Sequence, residues 1–307
     1  MTIFFRHLRG VIVFSGLTLN TVFWFVPIMI LAIAKMLLPI PVLRRLITRV
    51  LMAIGENWIS VNSLILRLPD SNSWQTRGLD GLAPDSWYLV ISNHQTWVDI
   101  IVLQHVFNHK IPFLKFFIKQ QLIWFPVLGL AWWALDMPFM KRYSRAYLAK
   151  HPEKQGTDLE ATRIACAKFR DVPTTVINFI EGTRFSEHKR EARNSEFRYV
   201  LPPRAGGIAW TLASMGELFN AMLDVTLVYP GGPASFWGLC CGEPLNVVID
   251  VRRRPIEQFL VSGDYQNDRK YRREFHQWLT RLWHEKDERI AALLADKTAS
   301  PQVRNGA

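Results

Sequence analysis

The fold is decided by the stretch WYLVISNHQTWVD, residues Trp87–Asp99, in which a short apolar run gives way to a polar turn. Trp87–Ser92 is almost continuously apolar, as expected of a strand that is buried on both faces of a sheet. Three further runs share this composition: Thr174–Ile180, Val225–Tyr229 and Leu245–Val251. Helical patterns lie between the runs, at Val98–Phe107, Thr157–Arg170 and Ala205–Met215. This alternation predicts an α/β domain with a mixed, mostly parallel sheet flanked by helices.

The N-terminal segment predicts membrane attachment. Gly10–Ala34 contains no charged residue and is long enough to cross a bilayer core. Basic residues flank it on both sides: Arg6, Arg9, Lys35, Arg44, Arg45 and Arg49. The heavier positive charge on the C-terminal side predicts that the rest of the chain is cytoplasmic. A cleavable signal peptide is disfavoured, because the apolar run is too long and no small-x-small cleavage site follows.

A second, amphipathic helix is predicted at Val42–Leu68. Residues 10–68 then form either one spanning helix with an interfacial one, or a helical hairpin seated in a single leaflet. Asn20 and Pro27 interrupt the first helix and are tolerable where a helix only partly enters the membrane. We therefore expect N-terminal membrane-anchoring helices in residues 1–69 and an α/β domain in residues 70–307.

Two other segments have a helical pattern. Gln120–Leu135 is uncharged, and it is either a second membrane span or a pair of short helices that form an apolar wall. Because the segment is short for a span and contains Pro126 and Gly129, we favour the pair of helices. Lys270–Ala295 repeats apolar residues at helical spacing, which predicts a C-terminal helix packed on the domain.

Composition narrows the choice of partner. The 307 residues include 37 Lys+Arg against 26 Asp+Glu, a net charge of +11, and 49% are hydrophobic, which excludes a disordered chain. A basic, aromatic-rich chain suits nucleic acid or an anionic membrane, and the N-terminal segment favours the membrane. The three cysteines, Cys166, Cys240 and Cys241, have neither disulfide-framework nor metal-ligand spacing. His105 and His109 lack a third ligand, so no metal site is expected.

The first candidate site is the string after Ser92. His94 directly follows a buried strand, at the edge where open α/β sheets collect their sites. Asp99 comes five residues later, so that a turn into a helix can return its carboxylate to the imidazole. A carboxylate on one ring nitrogen fixes the tautomer and leaves the other nitrogen free as a base. Alone, the string is also compatible with a capped turn.

A second string, Glu181-Gly182-Thr183-Arg184, follows another buried strand. Glycine allows a sharp turn there, and an arginine fork suits bidentate phosphate binding. A structural Glu–Arg pair at the strand end is the alternative. Further cations follow apolar runs at Lys119 and in the segment Met137–Arg142.

Together, the H-x4-D and E-G-T-R strings resemble those of the glycerolipid acyltransferase family. The resemblance covers about Trp87 to Pro230, and the N-terminal hydrophobic helices are also typical of the family. It implies that His94 is the catalytic base and Asp99 its orienting acid. Lys119 lies in a K-x-x-L-x-x-x-P stretch and Arg142 in FMKR, both of which resemble stretches of the family. The resemblance implies that these two cations bind the acceptor's phosphate together with the E-G-T-R string, Glu181, Gly182, Thr183 and Arg184.

The resemblance implies acyl transfer from acyl-CoA or acyl-acyl carrier protein to the sn-2 hydroxyl of 1-acyl-sn-glycerol-3-phosphate, which gives phosphatidic acid. It requires no cofactor besides the acyl donor, and it implies membrane phospholipids as partners and no nucleic acid. No G-x-S-x-G elbow occurs in the sequence, so a serine acyl-enzyme is disfavoured. We expect the chain at a bacterial inner membrane, with the catalytic domain facing the cytoplasm.

Two alternatives stay open. The blocks LDMPFMKR (135–142) and DVTLVYP (224–230) are closer to the branch of the family that acts on lysophospholipids. A re-acylating enzyme for lysophosphatidylglycerol or lysocardiolipin is therefore the first alternative. A basic membrane-surface binding protein without enzymatic activity is the second.

Overall fold

The computed structural model describes residues 3–68, 74–140, 164, 166–167 and 169–296. The helices in these residues, α1 to α9 in chain order, are Ile3–Leu37, Pro41–Ile65, Val98–Phe107, Leu128–Ala134, Glu187–Ala192, Ala205–Met215, Phe236–Cys240, Phe259–Ser262 and Arg269–Ala295. Short 3-10 helices are Gln120–Trp124 and Gly216–Leu218. The strands, β1 to β8, are Trp74–Arg77, Tyr88–Ser92, Leu114–Phe116, Ile118–Lys119, Phe139–Met140, Thr175–Phe179, Ala221–Val228 and Val247–Arg254.

A six-stranded sheet with the order β1-β8-β7-β2-β6-β3 forms the centre of the fold. Four neighbouring strands are parallel to one another: β7, β2, β6 and β3. Strand β8 pairs antiparallel with β7, and the edge strand β1 pairs parallel with β8. This arrangement confirms the predicted mixed, mostly parallel sheet flanked by helices. In register, Ser92 of β2 lies beside Phe179 of β6 and Val225 of β7.

Both faces of the sheet are buried, which explains the continuous apolar runs. Leu89 and Ile91 of β2 pack into one core, formed with α6 and α9, and Val90 packs into the other, formed with α3. Successive side chains of a strand point to opposite faces, so both sets must be apolar when each face is covered by helices.

The N-terminal helices pack against each other and against the α/β domain. Helix α1 has an 18-residue window of mean hydropathy 2.1, only 11% of which is buried, so it is long and apolar enough to cross a membrane. Inside the pair, Asn20 Nδ2 donates hydrogen bonds to the Trp58 carbonyl (3.1 Å) and to Asn62 Oδ1 (2.9 Å) of α2. The polar residue in the apolar run is therefore satisfied by the neighbouring helix. The division at residues 69 and 70 stays a prediction.

The structure confirms most predicted elements, with differences at their ends. Helices α3 and α6 have the predicted bounds, and residues 120–134 form a pair of short helices as expected. The predicted strand Val225–Tyr229 covers only the second half of the observed strand β7, Ala221–Val228. The first half was missed because the charged residue Asp224 interrupts the apolar run. Most of the predicted helix Thr157–Arg170 lies outside the described residues.

Candidate active site

The site lies where the carboxyl ends of β2, β6 and β7 meet. His94 comes two residues after β2, Glu181 two residues after β6, and Tyr229 directly after β7. Because these three strands are adjacent and parallel, the polar segments that follow them share one edge of the sheet. This is the edge at which open α/β sheets bind their ligands.

The structure brings His94 and Asp99 together. His94 Nδ1 is 2.7 Å from Asp99 Oδ2, and the carboxylate is fully buried at the beginning of α3. The backbone N–H groups of Gln95 (2.6 Å) and Thr96 (3.0 Å) donate to the same oxygen. A carboxylate only accepts, so Nδ1 carries a proton, and in the neutral imidazole Nε2 is then the unprotonated nitrogen. Among the described residues Nε2 has no hydrogen-bond partner, and 13% of the His94 side chain is exposed.

Tyr229 completes the contacts of Asp99 and was not predicted as a site residue. Its hydroxyl donates to Asp99 Oδ1 at 2.7 Å, and its side chain is 4% exposed. Burial raises the pKa of Tyr229 well above 10, and the charge of Asp99 and the hydrogen bond to it act in the same direction. Tyr229 therefore stays a neutral donor at physiological pH. The only sequence signal was a hydroxyl-bearing aromatic residue at the end of an apolar run.

Two further residues position the His94 segment. The His94 ring stacks on Phe179, with ring centroids 4.0 Å apart and an interplanar angle of 17°. Asn93 forms two hydrogen bonds of 2.8 Å with the backbone of Leu227, as donor to its carbonyl and acceptor from its N–H. The buried Asn93 thereby ties the end of β2 to β7. Its position directly after a buried strand was the available sequence signal.

Glu181, which the resemblance places among the phosphate-binding residues, is buried in the structure. Its carboxylate is fully buried, and its two oxygens accept from the backbone N–H groups of His94 and Leu201, each at 2.9 Å. Burial raises the pKa of Glu181 to about 8, while these two donors and the charge of Lys286 act in the opposite direction. In this arrangement Glu181 holds the backbone of His94 and does not face the solvent.

The residues after Glu181 form a sharp turn. Gly182 has φ +67°, a conformation that favours glycine, and a Cβ there would lie 3.0 Å from Arg204 Cδ, so that the Arg204 side chain would have to shift. Lys189 Nζ, from α5, donates to Thr183 Oγ1 (3.2 Å) and to the carbonyl of Arg184 (2.8 Å). Thr183 therefore contributes to the shape of the turn.

Arg184 and Lys119 are the two predicted phosphate-binding cations that the structure describes. The Arg184 guanidinium lies 4.7 Å from the ring centroid of Trp97, an exposed residue between His94 and Asp99. Lys119 is exposed on β4, which follows β3 at the same edge of the sheet. Arg142, the third predicted cation, lies outside the described residues.

The curated proteins to which the chain is similar include 1-acyl-sn-glycerol-3-phosphate acyltransferases. The chain is 28% identical over 214 residues to 1-acyl-sn-glycerol-3-phosphate acyltransferase gamma of Homo sapiens, covering 61% of this chain and 51% of the relative. It is 26% identical over 213 residues to 1-acyl-sn-glycerol-3-phosphate acyltransferase delta of Homo sapiens, with 65% and 51% covered. The chain thus spans about half the length of these curated relatives.

A solved structure is similar to most of the chain at lower identity. It is the 1-acyl-sn-glycerophosphate (LPA) acyltransferase PlsC of Thermotoga maritima, with a TM-score of 0.49, 14% identity, and 91% of this chain and 98% of that chain covered. The family comparison is more specific. Residues 74–228, which include every strand that borders the site and both predicted strings, match the Acyltransferase family. Since this match extends over half of the sequence, the chain belongs to the acyltransferase family.

Proposed function

We propose that the chain transfers an acyl group from acyl-CoA or acyl-acyl carrier protein to the sn-2 hydroxyl of 1-acyl-sn-glycerol-3-phosphate, giving phosphatidic acid. One observation carries the proposal: Asp99 holds the Nδ1–H of His94 and leaves Nε2 unprotonated at the ligand-binding edge of the sheet. The names of the gamma and delta relatives support the acceptor. No resident cofactor takes part in this reaction.

His94 is the general base in this proposal. Nε2 removes the proton of the sn-2 hydroxyl while the oxygen attacks the thioester carbonyl. When the tetrahedral intermediate collapses, the C–S bond breaks, and the imidazolium returns the proton to the leaving thiolate. Asp99 stabilises the imidazolium through the 2.7 Å contact. A positioned base of this type typically contributes about 10²–10⁴-fold to the rate.

Arg184 and Lys119 bind the phosphate of the acceptor, and Arg142 joins them by its family resemblance. The guanidinium of Arg184 presents two parallel N–H donors to phosphate oxygens, and its contact with Trp97 limits its orientation. We assign the buried Glu181 to positioning of His94 instead of phosphate binding, because both its oxygens accept backbone hydrogen bonds. Gly182 and Thr183 shape the turn that presents Arg184.

We also propose that the site faces a membrane. The segment 120–134 packs on α1, and Lys35 of α1 forms a 2.5 Å ion pair with Asp136, two residues after the segment. The segment exposes three aromatic side chains, and Trp124 is the most exposed of them at 86%. Together with the exposed apolar face of α1, they form a surface suited to lipid. A bacterial inner membrane, with the α/β domain on the cytoplasmic side, remains our proposed location.

The test is an acyl-transfer assay on the purified chain in detergent. Thiol release from acyl-CoA and the acylated lipid product are measured with lysophosphatidate and, in parallel, lysophosphatidylglycerol as acceptor. His94→Ala is the blank, and His276→Ala, an exposed histidine on α9, is the matched control. We expect phosphatidic acid from wild type and His276→Ala, and none above background from His94→Ala.

Each other outcome has a defined meaning. Preference for lysophosphatidylglycerol would identify a lysophospholipid re-acylating enzyme. Product formation with acyl-acyl carrier protein but not with acyl-CoA would support the proposed reaction and identify acyl-acyl carrier protein as the donor. Equal turnover in His94→Ala would refute the assignment of the base. Lipid binding without acyl transfer from either donor would favour the non-enzymatic alternative.

A further inference from the structure

Asp99 is held from two sides of the site. Its Oδ2 accepts three hydrogen bonds from its own segment, which come from the His94 ring and the backbone of Gln95 and Thr96. Its Oδ1 accepts one, from the hydroxyl of Tyr229, which lies 130 residues further along the chain. Tyr229 is the partner of Oδ1 among the described residues, and both groups are buried.

The proton of the Tyr229 hydroxyl has a defined direction. Burial keeps Tyr229 in its neutral form, so the hydroxyl carries a proton, and the carboxylate oxygen can only accept it. A hydrogen bond to an ionised carboxylate is stronger than one between neutral groups. It also stabilises the negative charge at Oδ1, and thereby reduces the attraction of Asp99 for a proton on His94.

We propose that Tyr229 is a positioning residue that sets the basicity of His94 through Asp99; the proposal deepens the general-base function given above and rests on it. Tyr229 does not contact the reacting atoms. It orients the carboxylate, and it keeps the imidazole in its unprotonated, active form to lower pH than Asp99 alone would allow.

The position of Tyr229 is fixed with respect to His94. Asn93, which precedes His94, forms its two 2.8 Å hydrogen bonds with Leu227, two residues before Tyr229. These hydrogen bonds tie the end of β7 to the segment of His94. A hydroxyl so placed serves orientation better than a hydroxyl on a free loop, because less conformational freedom is lost in forming its hydrogen bond.

The charged or titratable groups around His94 in the part of the chain that the structure describes come from three elements. Asp99 contributes its charge from α3, and Glu181, from the segment after β6, contributes a carboxyl group whose pKa is raised by burial to about 8. Arg184 extends from the same segment to Trp97. Behind Glu181, Lys286 of α9 is buried against Asp224. None of these groups is altered when the hydroxyl of Tyr229 is removed, so a change in the titration of His94 then reports on the contact with Asp99.

The test compares Tyr229→Phe with Tyr271→Phe. Tyr271 lies on α9, away from the site, and is also buried. Its hydroxyl donates to the carbonyl of Leu260 at 3.1 Å. We expect Tyr229→Phe to lower kcat about 10-fold, as for the loss of a hydrogen bond to a buried charged group, with little change in the KM of the acceptor. The acidic limb of kcat/KM against pH moves to higher pH. Tyr271→Phe leaves both quantities as in wild type.

The position of the acidic limb does not depend on how much of the variant is folded as long as this fraction is the same at every pH of the profile, which circular dichroism over the same pH range verifies. An acidic limb at the wild-type pH in Tyr229→Phe would overturn the proposal, even if kcat falls. The same result in Tyr229→Phe and Tyr271→Phe would reduce Tyr229 to a structural role.

A second readout separates this proposal from the proposed reaction. The titration of the His94 imidazole is followed by NMR of the histidine-labelled protein in detergent, with His94→Ala to assign the signal. We expect His94 to titrate at higher pH in Tyr229→Phe than in wild type, whether or not acyl transfer is detected. Identical titrations would overturn the role of Tyr229, whereas a shift without any turnover would leave it standing and refute only the proposed reaction.

Discussion

Replacing Asp99 with asparagine separates the charge of the carboxylate from the tautomer that it imposes on His94. At the position of Oδ2, the backbone N–H groups of Gln95 and Thr96 both require an acceptor. An amide NH2 group placed there would face two donors, so the amide must place its oxygen at this position. Its NH2 group then faces the oxygen of Tyr229, which can accept. We therefore expect Asp99→Asn to keep the proton of His94 on Nδ1.

The expected loss follows from the charge alone. Two opposite unit charges about 4 Å apart attract each other by about 4 kcal/mol at an effective dielectric constant of 20. The hydrogen bond from the imidazolium to the amide oxygen keeps about 1.5 kcal/mol of this. The remaining difference of about 2.5 kcal/mol corresponds to a decrease in kcat of about 10²-fold. Asp99→Ala also loses the acceptor for Nδ1, so its activity should approach that of His94→Ala.

The assay is thiol release at saturating acceptor for wild type, Asp99→Asn, Asp99→Ala and His94→Ala, with circular dichroism to verify folding. Nitrogen NMR of labelled histidine reports the tautomer of His94 in the same proteins. A decrease in Asp99→Asn as large as that in His94→Ala would refute the reasoning, and so would a signal from the Nε2–H tautomer. Wild-type activity in Asp99→Asn would show that the charge of Asp99 is unimportant.

Three further predictions concern the acceptor, the membrane and stability. Arg184→Lys should raise the KM of the phosphate-bearing acceptor about 10-fold and change kcat little, because an ammonium group cannot form the paired hydrogen bonds of a guanidinium. An unchanged KM in initial-rate assays would show that Arg184 has only a structural role. Trp124→Ser should weaken the partition of the protein into anionic vesicles about 10-fold, as measured by co-sedimentation. The control is Leu294→Ser, which replaces an exposed apolar residue on α9 and should leave the partition unchanged. Equal effects of the two substitutions would contradict a lipid contact at Trp124. Burial acts to raise the pKa of Asp250, but hydrogen bonds and charge from Arg289, together with Arg252, hold it below its ordinary value of 3.8. The ion pair therefore adds stability above pH 3.8 that is lost as the pH falls through the lower folded-state pKa. In urea titrations, Arg289→Met should reduce the free energy of unfolding by about 1–2 kcal/mol at pH 7 and by little once the pH is below the folded-state pKa.

The sequence was most informative where structure is determined locally. Helix α3 follows from a continuous pattern that ends at Phe107, and the His94–Asp99 contact needs only one turn of chain. The short strands β1 and β3 were missed, because three or four residues carry no periodicity of their own and depend on a neighbouring strand. The reversed direction of β8 was also beyond local reasoning, since an apolar run does not indicate in which direction its strand is paired.

The site shows the same division between local and long-range information. H-x4-D and E-G-T-R identify residue types, but the sequence did not show that Glu181 is turned inward to the backbone of His94 and Leu201. Tyr229 escaped prediction because its contact with Asp99 joins two strand ends that only the sheet order brings together. Spacing therefore indicated the base, whereas topology was needed for the groups that position it.

The C-terminal helix α9, which the sequence suggested only as a packing element, supports the segment of His94 through a continuous series of hydrogen bonds. The buried Trp283 donates through Nε1 to the carbonyl of Leu201 at 3.0 Å. The N–H of Leu201 donates to one oxygen of Glu181, and the other oxygen accepts from the N–H of His94. Each buried polar group is costly unless it has a partner, so removing any member leaves the next one unsatisfied. The position of His94 therefore depends on the docking of α9, although this helix lies outside the sequence strings that point to the reaction.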